Sequence, residues 1–293
     1  MNFPISVWLP YFNTMSVREA ISSLVKAGFF HGELSTEHYW ELLNSCGDPI
    51  AAGKTLKEYA DSVGYKVLQG HLTFNGGLCD DSAMERLKPE MDMFMAAGIR
   101  SAVLHVNGGN ELSPEERYNR WICYLGKLAD YVDGSGMTLC IENVHTLPYC
   151  YDAAKIKTLI NDAGGKNLGI CLDTGHLHLT RTAGHTEESF RDFILGAGDL
   201  LQALHITDNN GTEDSHQMPF SARRGVPWQE VMQALKDIDY KGLFNLEIIG
   251  ERYAPLAIKL QKLAFVRSMC DYMMSEEFLA IPPEAYLPPM ERR

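Results

Sequence analysis

The chain has 293 residues, 45% apolar and 22% charged, a composition that can bury one large core. Its 26 Lys and Arg against 38 Asp and Glu give a net charge of −12, which disfavours nucleic acid as a partner, because that affinity rests on basic side chains meeting phosphates. No apolar run reaches the ~18 residues of a membrane span. The start MNFPISVWLP lacks a basic secretion signal, so a cytoplasmic protein with no membrane partner is expected.

In chain order, a strand near 5–9 carries Trp8 and leads to a helix over 17–27, opened by a Ser16–Glu19 capping box and closed at Gly28. The second strand, 30–34, contains Glu33, and the segment 35–49 after it, with Trp40, reads as a loop. A Thr55–Glu58 box predicts a helix over 55–63 that stops at Gly64, and strand 66–72 ends near His71. Ser82–Glu85 opens a helix over 83–97, Gly98 closes it, and strand 100–106 reaches His105. Ser113–Glu116, with Pro114 at the first helical position, opens a helix over 114–133. Gly136 then precedes strand 137–143, which delivers Glu142. A helix over 153–163 and strand 167–173 bring the chain to Asp173 and His176, and a helix over 186–196 follows. Strand 201–207 holds His205, and the loop after it holds Asp214, His216, Arg223 and Arg224. A helix over 228–238, strand 242–248 with Glu247 and a helix over 255–274 complete the pattern. From 276 to 293, Pro282, Pro283, Pro288 and Pro289 around Tyr286 predict an extended tail, for which docking on a neighbouring subunit is one use. The seven cysteines, an odd number without a CxxC pair, read as reduced thiols, two of them (Cys140 and Cys171) inside strands.

Eight strands alternating with eight helices predict a single (β/α)8 TIM barrel over residues 1–275. The last six strands end in His71, His105, Glu142, Asp173, His205 and Glu247, in steps of 34, 37, 31, 32 and 42 residues. One βα unit takes about 30 residues, so these side chains recur once per unit. Residues at the C-terminal strand ends of such a barrel converge on its mouth, where catalysis occurs. A lone carboxylate there is commonly a helix cap or an ion-pair partner, an explanation that does not extend to four ligand residues at successive strand ends. Three carboxylates and an imidazole make an oxygen-rich site suited to one divalent ion, Mn2+ first, with Mg2+, Co2+ and Zn2+ open.

The segments IEN (141–143), LDTGH (172–176), LHITDN (204–209) and LEI (246–248) resemble the xylose-isomerase-like TIM barrels, and the resemblance covers about residues 3–275. That superfamily contains sugar isomerases, ketose 3-epimerases, hydroxypyruvate- and inosose-type enzymes, and endonuclease IV. The resemblance implies that Glu142, Asp173, His205 and Glu247 hold one metal. It also implies that Glu142 and Glu247 are catalytic and serve opposite faces of the substrate, and that His176 holds substrate near the metal. The reaction it implies is proton transfer next to a carbonyl, through an enediolate that the metal stabilises.

His71, His105, Asp214 and His216 add a second ring of candidate substrate-binding residues, to which Trp8, Glu33 and Arg223 are joined. Trp8, Tyr11 and Trp40 would stack on a sugar or merely pack. Arg223 and Arg224 are either solvated loop charge or a clamp for a carboxylate or phosphate. His31, His38, His145, His178 and His185 match no ligand position and read as ordinary. The quartet with His71, His105, His176, Asp214 and His216 matches, in type and order, the nine residues that hold three zinc ions in endonuclease IV, so a nuclease is the rival reading. The chain departs from the ketohexose 3-epimerase pattern at Pro148, Gly211 and FSARRGVPWQE (220–230). The expectation is therefore a metal-dependent isomerase or epimerase of a sugar, sugar acid, inosose or sugar phosphate. A dehydratase or lyase on the same site is an alternative, and both homodimer and homotetramer remain open.

Overall fold

Eight short strands form where apolar, β-branched runs were expected: β1 (Ile5–Trp8), β2 (His31–Leu34), β3 (Lys66–His71), β4 (Ser101–Leu104), β5 (Thr138–Glu142), β6 (Leu168–Asp173), β7 (Leu201–His205) and β8 (Phe244–Leu246). This computed structural model describes residues 3–73, 77–251 and 253–282. The strands pair in parallel in the order β7–β6–β5–β4–β3–β2–β1–β8. The two end strands meet through a parallel bridge at Ile206 and Leu246, where the Ile206 N–H donates to Asn245 O at 2.8 Å and the Glu247 N–H to Ile206 O at 3.1 Å. The sheet thus curls into a (β/α)8 TIM barrel.

The surrounding helices are α1 (Val17–Lys26), α2 (Thr36–Cys46), α3 (Pro49–Ser62), α4 (Ala83–Ala97), α5 (Pro114–Tyr131), α6 (Ala153–Asp162), α7 (Thr174–Thr182), α8 (Phe190–Ala197), α9 (Trp228–Asp237), α10 (Leu256–Met273) and α11 (Glu276–Leu279). The capping boxes at Ser16 and Ser113 form as expected, and Gly28, Gly64, Gly98 and Gly136 take the left-handed φ that ends a helix, between 71° and 87°. One expected start and one expected cap differ from what forms. Asp48 caps α3 by accepting from the Ala51 N–H at 2.8 Å with Pro49 at the first position, so Thr55 and Glu58 lie inside the helix. An Asp cap followed by Pro outcompetes a Thr about two turns later, because it satisfies the orphan amides earlier. Ser82 precedes α4 with helical backbone angles and no side-chain cap. The segment 35–49, expected as a loop, contains α2, and α7 follows β6 directly. At 276, where an extended tail was expected, the Ser275-capped α11 forms and buries Phe278, while 283–293, with Tyr286, lie outside the described residues.

Helices α3 and α4 approach closely because Gly53 lacks a side chain. A Cβ there would sit 2.3 Å from the Met93 carbonyl oxygen. The main core lies between the strands and their helices. A second, smaller cluster of Val103, Cys140, Cys171 and Ala203 comes from β4 to β7. Each of these residues precedes a strand-end ligand by two positions, so the period of two puts both on the barrel's inner face. The catalytic candidates therefore stand on a floor of small apolar side chains. No helix among the described residues is long and apolar enough to cross a membrane.

Candidate active site

Adjacent parallel strands in register bring their last residues together. Glu142 pairs with Cys171 and Asp173 with His205. One ligand atom from each of Glu142, Asp173, His205 and Glu247 lies within 4.8 Å of the others, and all four residues are buried. His205 Nδ1 is 3.0 Å from Glu247 Oε2 and 3.4 Å from Glu142 Oε2, yet it makes no hydrogen bond. Asp173 Oδ1 accepts the His176 N–H at 2.6 Å and so caps α7, which leaves Oδ2 buried without a partner. Unsatisfied buried polar atoms are costly. Here two of them belong to the same four-residue cluster, the arrangement expected of ligand atoms aimed at a common point.

The charges of the cluster are balanced by its histidines, and they also suit a cation. Burial, together with the charges of Glu142 and Glu247, pushes the Asp173 carboxyl up to about 7. Burial works against the Glu142 charge too, but the imidazoles of His205, His105 and His176 hold that carboxyl well below the usual range. Burial opposes charge on His205 and His176 as well, but Cys171, Glu247, Glu33 and Glu142 lift the first, and Asp173, Asp214 and Glu142 the second, well above an ordinary imidazole. Three buried carboxylates this close cannot all be charged without positive charge among them. The donor set, oxygen-rich with one imidazole, fits a divalent ion that displaces those protons.

The second ring surrounds this cluster. His105 Nε2 lies 2.9 Å and His71 Nε2 3.4 Å from Glu142 Oε2, and a ligand atom of each falls within 4.8 Å of the others in a second potential ion-binding group. Burial opposes charge on His71, and Glu142 overrides it, raising that group to about 8. His176 Nδ1 is 3.0 Å from Glu142 Oε1, and its Nε2 is 3.2 Å from Asp214 Oδ2, which also lies 3.4 Å from His216 Nε2. Burial opposes charge on His216 as well, but Asp214, Glu247 and Asp173 carry it up to about 10. All nine residues singled out at strand ends and in the β7–α9 loop therefore converge.

Three other candidates are engaged elsewhere or stand apart from the cluster. Glu33, expected to meet a substrate hydroxyl, is wholly buried and accepts hydrogen bonds from Gln69 and Asn245, with His205 Nε2 at 2.9 Å. Trp8 does not stand free, since its indole N–H donates to Ile248 O at 2.7 Å and its ring stacks on His216 at 6.0 Å between centroids. Arg223 is exposed, and among the described residues no hydrogen bond or ion pair ties it to the cluster.

Sequence reasoning missed several groups. His145, read as ordinary, lies 5.0 Å from His176 between ring centroids, and its ligand atom falls within 4.8 Å of those of His176 and Asp214. Its place three residues after Glu142 was the available signal. Asn143 clamps β5 to β6, its amide donating to Asp173 O at 2.9 Å and its carbonyl accepting the Asp173 N–H at 2.6 Å. Asp208 organises the loop that carries Asp214 and His216. Its carboxylate accepts from the N–H groups of Asn209, Phe220 and Val226 and from the Trp228 indole, at 2.9 to 3.1 Å. Replacing Asp208 by Ala leaves four donors without their acceptor. It should cost about 3 kcal/mol and lower the melting temperature by roughly 5–10 °C, measured by thermal unfolding. An unchanged melting curve would show that water replaces the carboxylate at no cost.

Residues 28–269 match the family described as Xylose isomerase-like TIM barrel. Among curated proteins, D-psicose 3-epimerase of Agrobacterium fabrum is 31% identical over 160 residues, 54% of this chain and 51% of that protein. The chain thus spans about half the length of the first curated relatives it matches. An L-ribulose 3-epimerase structure aligns over 98% of this chain and 100% of its own, with a TM-score of 0.75 at 18% identity. The IOLI protein, crystallised with a zinc atom, aligns over 94% and 100% at a TM-score of 0.71 and 16% identity. At such identities the structures speak for the fold alone. Because the family match extends over most of its length, this chain belongs to the xylose isomerase-like TIM barrel family.

Proposed function

We propose that the chain is a divalent-metal-dependent sugar epimerase or isomerase, with Glu142, Asp173, His205 and Glu247 as metal ligands and Glu142 and Glu247 as the catalytic pair. The observation that carries this reading is the convergence of four buried ligand atoms, two of them without hydrogen-bond partners, at the C-terminal ends of β5 to β8. The epimerases among its relatives support the same class. A divalent ion held there would polarise the substrate carbonyl and offset the negative charge that develops when the neighbouring proton leaves.

The chain's own residues account for the rest. Glu142 is flanked by His71 and His105 from β3 and β4, whereas Glu247 faces His205 and His216. Two carboxylates that share His205 but have otherwise different neighbours, entering from different arcs of the barrel, suit one acting as proton acceptor and the other as donor. His176, Asp214 and His216 line the approach and present donors and an acceptor to sugar hydroxyls. Trp8 supports His216 from beneath. Exposed Arg223 gives no support to a phosphate clamp, which favours an unphosphorylated sugar, sugar acid or inosose.

The nine-residue convergence keeps the trinuclear zinc nuclease as a second reading, against which stands the net charge of −12. The test is incubation of the Mn2+-loaded protein with a panel of ketoses and inososes in deuterated water. Deuterium uptake at the carbon beside the carbonyl, without loss of a leaving group, is expected. Release of water or an aglycone would assign a lyase, and no exchange with any member of the panel would count against the proposal.

A further inference from the structure

We propose that Glu33 is a positioning residue for His205, its carboxylate holding the proton of Nε2 and thereby turning Nδ1 toward Glu142, Asp173 and Glu247. The inference rests on the proposed metal site and concerns how that site is built. His205 and Glu33 are both fully buried, and His205 Nε2 lies 2.9 Å from Glu33 Oε2. The opposite ring nitrogen, Nδ1, is the one that faces Glu247 at 3.0 Å and Glu142 at 3.4 Å. A neutral imidazole binds a metal through one nitrogen only when the proton resides on the other, and the acceptor of that proton selects the tautomer. Oε2, which already takes the Gln69 and Asn245 amide protons, is placed as an acceptor for Nε2–H, and this leaves the Nδ1 lone pair for the ion.

Glu33 is itself held in place. The Gln69 amide donates to the same Oε2 and also reaches Leu204 O at 3.3 Å, one residue before His205. The Asn245 amide donates to Oε2 at 3.2 Å, and Ser6 Oγ donates to Asn245 Oδ1 at 2.8 Å. β1, β2, β3 and β8 therefore fix the carboxylate that aims a ligand on β7. All of these contacts fall on Oε2, while Oε1 is buried without a hydrogen-bond partner, a costly placement that apolar packing alone would not call for.

The test uses Zn2+, which is diamagnetic, with the full chain. In wild-type protein, 15N-resolved NMR of the histidine side chains should place the His205 proton on Nε2 in the zinc-loaded state. Glu33→Gln keeps the size and a carbonyl acceptor but removes the charge. It should fold, weaken zinc binding by about 10- to 100-fold in calorimetric titration, and give His205 a mixed tautomer signal. Wild-type zinc affinity in Glu33→Gln, or a proton on Nδ1 in the zinc-loaded wild type, would overturn the inference. Should Glu33→Gln fail to fold, the wild-type tautomer decides by itself. A wild-type protein that binds no zinc at all would remove the proposed metal site, and this inference with it; that failure is separate because it appears without any substitution.

Discussion

Replacing Glu247 by Gln abolishes exchange of the substrate's carbon-bound proton with solvent while the barrel stays folded. Glu247 lies just past the end of β8 and is 7% exposed, so it is largely closed to bulk water. Burial disfavours its charge, but His205 and His216 override that and hold the carboxyl below the usual range, so it is ionised and able to accept a proton. Gln preserves the shape and a single oxygen ligand but cannot accept a proton at neutral pH. Loss of a positioned general base removes about 10²- to 10⁴-fold in rate. The weaker metal ligand lowers it further, so the measurement is made at saturating Mn2+. The readout is deuterium incorporation by NMR, with circular dichroism as the folding control. Retained exchange in a folded, metal-loaded Glu247→Gln protein would exclude Glu247 as the base.

Removing the metal should cost both activity and stability. Glu142, Asp173 and Glu247 share one buried pocket with the wholly buried Glu33 directly behind His205. Asp173 already shows the strain, its carboxyl pushed up to about 7 by burial and by its two glutamate neighbours. A divalent ion relieves that repulsion in the folded state only, and an ion at 100 times its dissociation constant adds about 2.7 kcal/mol of stability. The melting temperature should therefore fall by roughly 5 °C or more in excess chelator and recover when Mn2+ is returned. Elemental analysis of protein purified without chelator should give about one equivalent of divalent metal, the number implied by the four-residue site. Close to three equivalents of zinc would mean that the groups around His71 and His105, and around His176 and Asp214, are filled as well. An abasic-site cleavage assay would then replace the sugar panel. Identical melting with and without chelator would contradict the metal site outright.

The two effects separate cleanly in experiment. Chelation should act on folded stability as well as on rate, because the proposed ion would bind only the assembled pocket. Substitution of Glu247 by Gln acts mainly on rate, because the substituted amide still fills its place at the end of β8.

The sequence determined the fold through local regularities. Apolar runs of strand length, glycines at helix ends and ligands at intervals of one βα unit each report on neighbouring residues, and a closed barrel is what eight such units make. The four-residue cluster was legible for the same reason. Ligands that end successive parallel strands must lie side by side once the strands pair, so Glu142, Asp173, His205 and Glu247 could be read from spacing and resemblance together. The false helix start at Thr55 shows the limit, since the motif was present but Asp48 and Pro49 offered an earlier and stronger one.

Tertiary structure alone decided what stands behind the ligands. Glu33 looked like a mouth residue because it lies near a strand end, but the register of β2 against β3 sets it level with Gln69, one layer below His71. Its partner His205 is 172 residues away, and no local pattern encodes a contact across the barrel. His145 joined the site because the turn after β5 folds its ring onto His176, and Asp208 emerged as the anchor of the β7–α9 loop because four donors from that loop and α9 close on one carboxylate. Period and spacing fix which residues reach the barrel mouth; only closure of the sheet fixes which of them touch.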